Sequence, residues 1–460
     1  MTAAIRRMPP AGEAARHRKR RPGWKLLDTD VVAAVAAFAL CIGAIWVVHG
    51  GIRELGDGPL LMWTSLTDLS GLAASALGLV GFVLVARPRF FERTYGLDRT
   101  FVWHRQVGAA MTVLVVVHVA VAVAAAVPER GMFGAIGDLT GRLPYMALAT
   151  IGAGLVGVVT LTSLRAIRRR LAYETWYFVH LLAYAGFALA FGHEIALGTD
   201  LSTDKIARWF WVVLHVGVLA ALLWGRWLRS ILAARRPLHV SALERPIPGM
   251  VAITLSGPGV KRLQAVAGQF FLLRPLHPDL WWQTHPFSLS APPADGKLRF
   301  TVKDRGDGSA ALATLRRGAP VAIEGPFGVC TPDVFDGRRA VFIAGGIGVA
   351  PVLALLETLG PDSEPIVLYR AHHEQDLVYL NELKELARTR GGRVLTLVGP
   401  SARLAAHDPF GATALRAAIT DLDERVAVVA GPERLLHAAR AGLRAAGLPS
   451  DRIHFERPWW

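Results

Sequence analysis

Apolar residues follow two different patterns along the chain. Up to about residue 235 they form six runs, near 31–48, 67–86, 104–127, 143–163, 176–197 and 209–228, with polar breaks between them. Each run is about 20 residues, long enough at about 1.5 Å rise per residue to cross a hydrocarbon layer of about 30 Å. The runs are apolar on every face, whereas a surface helix of a soluble domain keeps one polar face, so they predict six membrane-crossing helices. The first run is read as a span and not as a leader, since no small-residue cleavage site follows it before the next polar loop.

From about 237 the pattern shortens to strand-length segments separated by Pro and Gly. Residues 237–335 read as strands without long helices, including "MVAITLSG", "GQFFLLRP", "HPFSLS", "KLRFTVK" and "PVAIEGPFG". That spacing predicts an antiparallel barrel. Residues 338–460 alternate strand and helix, with strands at "AVFIAGG", "PIVLYRA", "RVLTLVG", "RVAVVAG" and "RIHFE". Such alternation predicts a parallel sheet covered on both faces. The expected order is thus a tail (1–30), a six-helix transmembrane bundle (31–235), an antiparallel β-barrel (237–335) and an α/β parallel-sheet domain (338–460).

Composition agrees with a membrane protein. The chain is 52% hydrophobic and 19% charged, where soluble domains carry about 25% charged residues. The net charge of +15 is unevenly placed. With the N-terminus inside, inner segments hold 21 Lys and Arg and outer loops hold 5, which is the positive-inside asymmetry. The basic runs Arg16–Arg21 and Arg168–Arg170 then read as topology and lipid-headgroup charges, not as a nucleic-acid site. Both termini, and everything after the sixth run, are expected in the cytoplasm of a multi-pass protein. Two cysteines, Cys41 and Cys330, are too few for a disulfide framework, a four-thiolate zinc site or an iron–sulfur cluster with four thiolates. The absence of a CxxCH sequence means that any haem is held without covalent attachment.

Four histidines lie inside two runs. His104 and His118 stand 14 apart in the third; His180 and His193 stand 13 apart in the fifth. Ligating residues at membrane depth are costly and usually functional, and neutral imidazole is a standard axial ligand of haem iron. Both runs cross in the same direction, so His104 faces His180 and His118 faces His193, with about 20 Å between the two pairs. Two stacked b-type haems need that arrangement. A 13-residue separation misses the starting face by about 140°, so the fifth run calls for a π-bulge, a bend near Gly186 or Gly192, or haems rotated relative to each other. His49 and His215 lack such a partner and read as packing or interfacial residues. "WHRQVG" with His118 downstream, and "YETWYFVH" with His193 downstream, resemble the ferric reductase and NADPH oxidase superfamily of transmembrane flavocytochromes, whose bis-histidine pattern has these spacings. Arg105, beside the inner ligand, offers a propionate partner, though a positive-inside charge explains it equally.

The second half resembles ferredoxin–NADP reductase. In that family a basic–x–aromatic–Ser/Thr tetrad lies at FAD. The resemblance places His285 at the ribose or phosphate, Phe287 against the flavin and Ser288 near N5, with Pro286 fixing the strand and Leu289 and Ser290 completing the segment. Read as a strand alone, the same residues make a barrel strand with a buried Phe. Gly306 and Ser309, in "DRGDGSAALATL", fit the family's second flavin-phosphate motif at a helix start, or else a plain hairpin turn. "IEGPFG" matches the segment leading into the nucleotide domain. Gly345, Gly346 and Gly348 in "GGIGVAP" suit close approach of a dinucleotide and aim a helix N-terminus at its phosphates. Gly431 and Pro432 follow the fourth strand, but Ala430 stands where the family usually has cysteine. Arg370 is open between a role at the 2′-phosphate of NADPH and plain solvation, which leaves NADH and NADPH both possible. The resemblance also brings the final strand back to the flavin, with Trp459 or Trp460 stacked on the ring; two tryptophans packed on the domain or the membrane interface are the alternative.

Together these features imply an NAD(P)H-dependent oxidoreductase that passes electrons from cytoplasmic NADH or NADPH through FAD and two haems to a small-molecule acceptor outside. A ferric chelate is favoured as acceptor, giving a ferric-chelate reductase or general oxidoreductase. Dioxygen, giving a superoxide-producing oxidase, is the alternative, and a haem-carrying subunit serving another protein is a weaker one. The lipid bilayer is the expected surrounding, and no protein partner can be named.

Overall fold

A computed structural model describes residues 27–277, 283–304, 307–400 and 408–456. Six helices among them are long and apolar enough to cross a membrane. Spans one and two are Asp28–Val48 and Pro59–Ala86; span three is the long helix Arg89–Gly137, and spans four and five are Met146–Ser163 and Tyr173–Leu197. Span six runs Lys205–Ala234, with one π turn at Leu223–Leu228. A helix satisfies its own backbone groups, the condition for crossing lipid. Side chains such as Val113, Val116, Ile151, Val213 and Val216 remain exposed on the bundle's outside, where apolar acyl chains are their natural solvent.

Helix contacts in the bundle depend on small residues. A methyl added at Gly152 would run into the Gly186 carbonyl 2.5 Å away, and one at Gly186 would meet the Gly152 carbonyl at 2.9 Å, so spans four and five touch backbone to backbone. Trp46 of span one donates to the Ser65 hydroxyl of span two at 3.0 Å, and Thr112 and Thr160 hydroxyls join spans three and four at 3.0 Å. Span three is kinked where Gly96 takes φ +75 and Gly131 takes φ +66. The first kink lets its leading turn leave the bundle axis, so that Leu97 packs on Phe270 and Phe327 of the barrel.

The barrel strands are β1 (Leu238–Glu244), β2 (Met250–Ser256), β3 (Phe270–Pro275), β4 (His285–Ser288), β5 (Lys297–Lys303) and β6 (Pro320–Phe327), all antiparallel, in the order β4-β3-β6-β1-β2-β5. The two ends of that order meet: Leu289 bridges Phe300, and the Ser290 amide donates to the Arg299 carbonyl at 2.8 Å. Phe271, Leu273, Leu289, Leu298 and Phe300 fill the interior. The last domain is a five-stranded parallel sheet of β7 (Ala340–Gly345), β8 (Ile366–Ala371), β9 (Arg393–Val398), β10 (Val426–Ala430) and β11 (Ile453–Glu456), ordered β11-β10-β7-β8-β9. Alternate residues of β7 enter separate cores, Phe342 and Ala344 on one face and Val341 and Ile343 on the other, as expected of a sheet buried on both sides. The strand order reverses between β7 and β10, which is where open α/β sheets place their ligands, beyond the carboxyl ends.

Candidate cofactor sites and electron path

The four span histidines meet in two pairs. The imidazole centroids of His104 and His180 lie 6.0 Å apart, and those of His118 and His193 lie 6.1 Å apart. Two metal–nitrogen bonds of about 2 Å each, plus the depth of two imidazole rings, occupy such a gap. Each ring has its Nδ1 turned away from the partner. His104 Nδ1 donates to the Gly81 carbonyl at 3.2 Å, His118 Nδ1 to the Thr67 carbonyl at 3.0 Å, and His193 Nδ1 to the Ala190 carbonyl; His180 Nδ1 lies 3.4 Å from the Ser163 hydroxyl. A bond at Nδ1 fixes the tautomer that presents Nε2 to a metal, the usual support of a ligating histidine. Span two supplies both carbonyls for span three, and Thr67 and Gly81 are 14 residues apart like the histidines they hold. Gly71 makes room: a methyl there would sit 2.9 Å from His118. The residues present therefore fit two bis-imidazole haems.

Span five reaches this arrangement without a π-bulge or bend, two of the three solutions its spacing allows. Tyr173–Leu197 is a continuous α-helix, Gly186 being a helix contact and Gly192 the seat of the Tyr145 ring. The two rings turn by different anchors, one on span four and one on its own helix. The ring planes accordingly cross at 74° in one pair and 50° in the other. Side-chain rotation absorbs the helical offset. Arg105 is exposed. His215 packs among Phe187, Phe191 and Trp211, and His49 lies 3.3 Å from Asp204.

All four residues of β4, His285, Pro286, Phe287 and Ser288, are half-buried, whereas its partner strand β3 is mostly buried. An open face on a barrel strand is room for a ligand. Pairing with β3 sets His285 opposite Leu273 and Ser288 opposite Phe270. His285 Nε2 lies 3.2 Å from the Gln283 amide oxygen, and burial holds its pKa below the ordinary imidazole value, so the ring is neutral near pH 7. Phe287 also leans on the barrel core. Leu289 is fully buried and closes the barrel; Ser290 is buried too, its carbonyl taking a 2.6 Å bond from Arg299. These two shape the strand and do not face outward. Ser309 is half-buried on the short helix Asp307–Ala313, while Gly306, Trp459 and Trp460 lie outside the described residues.

At the carboxyl ends of β7 and β10 the glycines divide into two kinds. A methyl at Gly348 would collide with the Ala430 carbonyl, and one at Gly345 would press on Leu435 and on Pro432 at 3.2 Å, so these two let the turns pack together. Gly431 and Pro432 form the facing turn. Gly346 has φ +54 and open space where a side chain would be. It is the bare backbone position at the switch point. Arg370 is the penultimate residue of β8, next to Gly345 in register.

Two residues join the site that the motifs did not single out. Glu456, at the end of β11 and paired in register with Ala430, accepts a 2.9 Å hydrogen bond from the Ser288 hydroxyl, linking the last strand to β4. The segment "IHFE" marks that strand, but nothing in its residue types points to the carboxylate. Cys330 is buried in the same core as Ala430. Burial pushes its thiol pKa up, and the Glu456 charge adds to this. Barrel and sheet are held together by Thr301 and Tyr379 hydroxyls at 2.9 Å and by Arg299 with Glu382 at 3.3 Å.

A helix bundle with paired imidazoles, joined to an open-faced barrel and a glycine-floored parallel sheet, defines a membrane-bound oxidoreductase of the flavin and nicotinamide type. Residues 70–191 match the ferric reductase like transmembrane component, 238–331 an FAD-binding domain and 342–441 the oxidoreductase NAD-binding domain. A probable ferric reductase transmembrane component of Candida albicans is 24% identical over 336 residues, covering 68% of this chain and 46% of that protein. Ferredoxin–NADP reductase B of Sorangium cellulosum is 31% identical over 188 residues, covering 37% of this chain and 76% of the relative. The chain thus carries a ferric reductase like transmembrane domain followed by FAD-binding and NAD-binding oxidoreductase domains, and its second half belongs to the ferredoxin–NADP reductase family. It spans less than half the length of the ferric reductases it matches.

Proposed function

We propose that this protein carries electrons from cytoplasmic NADH or NADPH, through FAD and two b-type haems, to a ferric chelate on the opposite face of the membrane. The two imidazole pairs, at 6.0 and 6.1 Å, carry the reading, because they set two metal-sized gaps one above the other in the bundle. His104 and His180 would hold the inner iron, His118 and His193 the outer. Bound flavin supplies the exchange between the two-electron hydride of nicotinamide and the one-electron chemistry of iron. The chain's own residues orient and insulate. Gly346 leaves the backbone open to the dinucleotide, and Gly345, Gly348 and Gly431 bring the two turns together beneath it. Ser288 presents a hydroxyl whose proton is held by Glu456, next to the open face of β4. His285, neutral at pH 7, offers a hydrogen bond and not a charge to the flavin's sugar–phosphate arm. The Lys and Arg asymmetry supports placing both termini and the dehydrogenase half in the cytoplasm.

The test uses purified full-length protein in lipid discs, loaded with haem and FAD. NAD(P)H should bring up the reduced b-type absorption of two haems per chain, and chelated iron(III) should reoxidise them faster than dissolved oxygen does. Reoxidation by oxygen alone, with superoxide formed, would replace the metalloreductase with an oxidase. One haem or none per chain would remove the electron path.

A further inference from the structure

An open pocket of about 590 Å³ lies between spans four, five and six, at the end of span five that carries His193. Its walls are Tyr145, Phe191, Gly192, Ile195, Val212 and Arg208. Gly192 immediately precedes His193. A methyl at Gly192 would sit 2.9 Å from the Tyr145 ring, so the missing side chain lets that ring pack against span five one residue before His193. Tyr145 holds this place in a left-handed turn, φ +61, at the mouth of span four, the residue being 56% exposed. On the opposite wall Arg208 is pinned by two backbone carbonyls: its Nε donates to Leu201 at 2.9 Å and its Nη2 to Ser202. The acids of the same loop turn the other way, since Asp204 and Asp200 lie 3.3 and 3.9 Å from His49 at the end of span one. Arg208 is therefore the charge that faces the cavity.

The lining selects a type of acceptor. Ligand sites of about 300–1,000 Å³ lined by aromatic and aliphatic groups, with a few placed polar groups, take organic molecules of moderate size. A bare or hydrated ferric ion would lose its water against apolar walls and meet a like charge at Arg208. Dioxygen would leave nearly all of the volume unfilled. We propose that the cavity binds the iron(III) complex of an aromatic, anionic chelator, with the chelator's ring against Tyr145 and its negative charge toward Arg208. This rests on the outward electron path proposed above. The step is one electron per complex: two iron(III) chelates become two iron(II) chelates as one NAD(P)H becomes NAD(P)⁺ and a proton.

Two measurements on the haem- and FAD-loaded full chain test it. The first compares NAD(P)H-driven reduction of ferric dihydroxybenzoate, which is aromatic and anionic, with ferric citrate, which is anionic without a ring, and ferric maltol, which is a neutral ring. KM for the first should be at least tenfold below the other two. Arg208→Gln should erase its advantage over maltol, Arg208→Lys should keep most of it, and Tyr145→Leu should erase its advantage over citrate. Equal KM values for the three chelates, or unchanged ratios in Arg208→Gln and Tyr145→Leu at full haem content, would overturn the proposal. The second measurement titrates the redox-inert gallium(III) dihydroxybenzoate complex and follows tyrosine and tryptophan fluorescence. Saturable binding that Arg208→Gln weakens tenfold or more supports the cavity even if no ferric chelate is reduced, in which case the electron-path reading fails alone. No saturable binding overturns the cavity even if chelates are reduced.

Discussion

On the proposed electron path, replacing Glu324 by Gln should uncouple the haem-binding bundle from the dehydrogenase half. Glu324 lies on β6, at the seam where the barrel meets the bundle, and its side chain is 9% exposed. One carboxylate oxygen faces Arg87 at 3.5 Å; the other faces Arg274 at 3.2 Å and takes a hydrogen bond from Ser230 of span six. Arg87 occupies the left-handed turn between spans two and three and is only 6% exposed. Burial and the nearby charge of Arg226 already bring its guanidinium down to about 10, and Glu324, ahead of Glu92, is the negative charge that offsets this. Removing one partner of a buried ion pair costs about 3–5 kcal/mol, because the other charge is left without compensation. The barrel and bundle each have a core of their own and share the small Leu97–Phe270–Phe327 cluster at the seam, so the loss falls mainly on their docking. At about 1.4 kcal/mol per tenfold, 3 kcal/mol weakens docking by about two orders of magnitude, moderated by the covalent tether. Stopped-flow absorbance separates the steps. In Glu324→Gln, flavin bleaching by NAD(P)H should keep its rate within about twofold, while haem reduction slows at least tenfold. Glu324→Asp should fall between. Haem reduction at the native rate in Glu324→Gln, with Arg87 and Arg274 intact, would refute the assignment of this carboxylate as the clamp.

The remaining predictions are more local. His118→Ala or His193→Ala should halve the haem content measured by pyridine haemochrome absorbance, leaving the inner pair loaded; retention of two haems by either variant would show that the pairs are wrongly assigned. Ser288→Ala and Glu456→Gln should both slow flavin reduction by NAD(P)H more than they weaken FAD binding, whereas His285→Ala should weaken FAD binding more, and identical profiles would remove the separate roles. Gly348→Ala should cost about 1–3 kcal/mol by driving a methyl into the Ala430 carbonyl, read as a lower unfolding midpoint with a raised KM for the nucleotide. Burial lowers the pKa of His285 and His454 in the folded state, so the unfolded chain binds more protons as pH falls through the ordinary imidazole range. The unfolding midpoint of the dehydrogenase half, followed by FAD release, should fall between pH 7 and pH 5, and His454→Gln should flatten that slope; an unchanged slope would show that His454 is not a source of it.

Sequence alone carried the architecture because each regime has a period that backbone geometry imposes. Twenty-residue apolar runs have one solution in lipid, and short punctuated strands followed by strand–helix alternation have few outside it. The histidine pairs were legible for a similar reason: two near-equal spacings in parallel spans fix which imidazole lies at which depth. Depth follows from rise per residue, but facing direction does not. The helical wheel put His180 and His193 on different sides of span five and called for a bulge, a bend or haems rotated relative to each other. An unbroken helix with two rotamers, anchored at Ser163 and at Ala190, solves the same problem, and only packed neighbours choose between them. The glycines behave likewise. Gly345, Gly346 and Gly348 look alike in a motif, yet two are required by contact with Pro432, Leu435 and Ala430, and one faces open space. Glu456 and Glu324 were invisible for a stronger reason. Each acts on residues more than a hundred positions away, Ser288 in one case and Arg87 in the other. A carboxylate's chemistry is set by what surrounds it, and its surroundings exist only after strands distant in sequence have met.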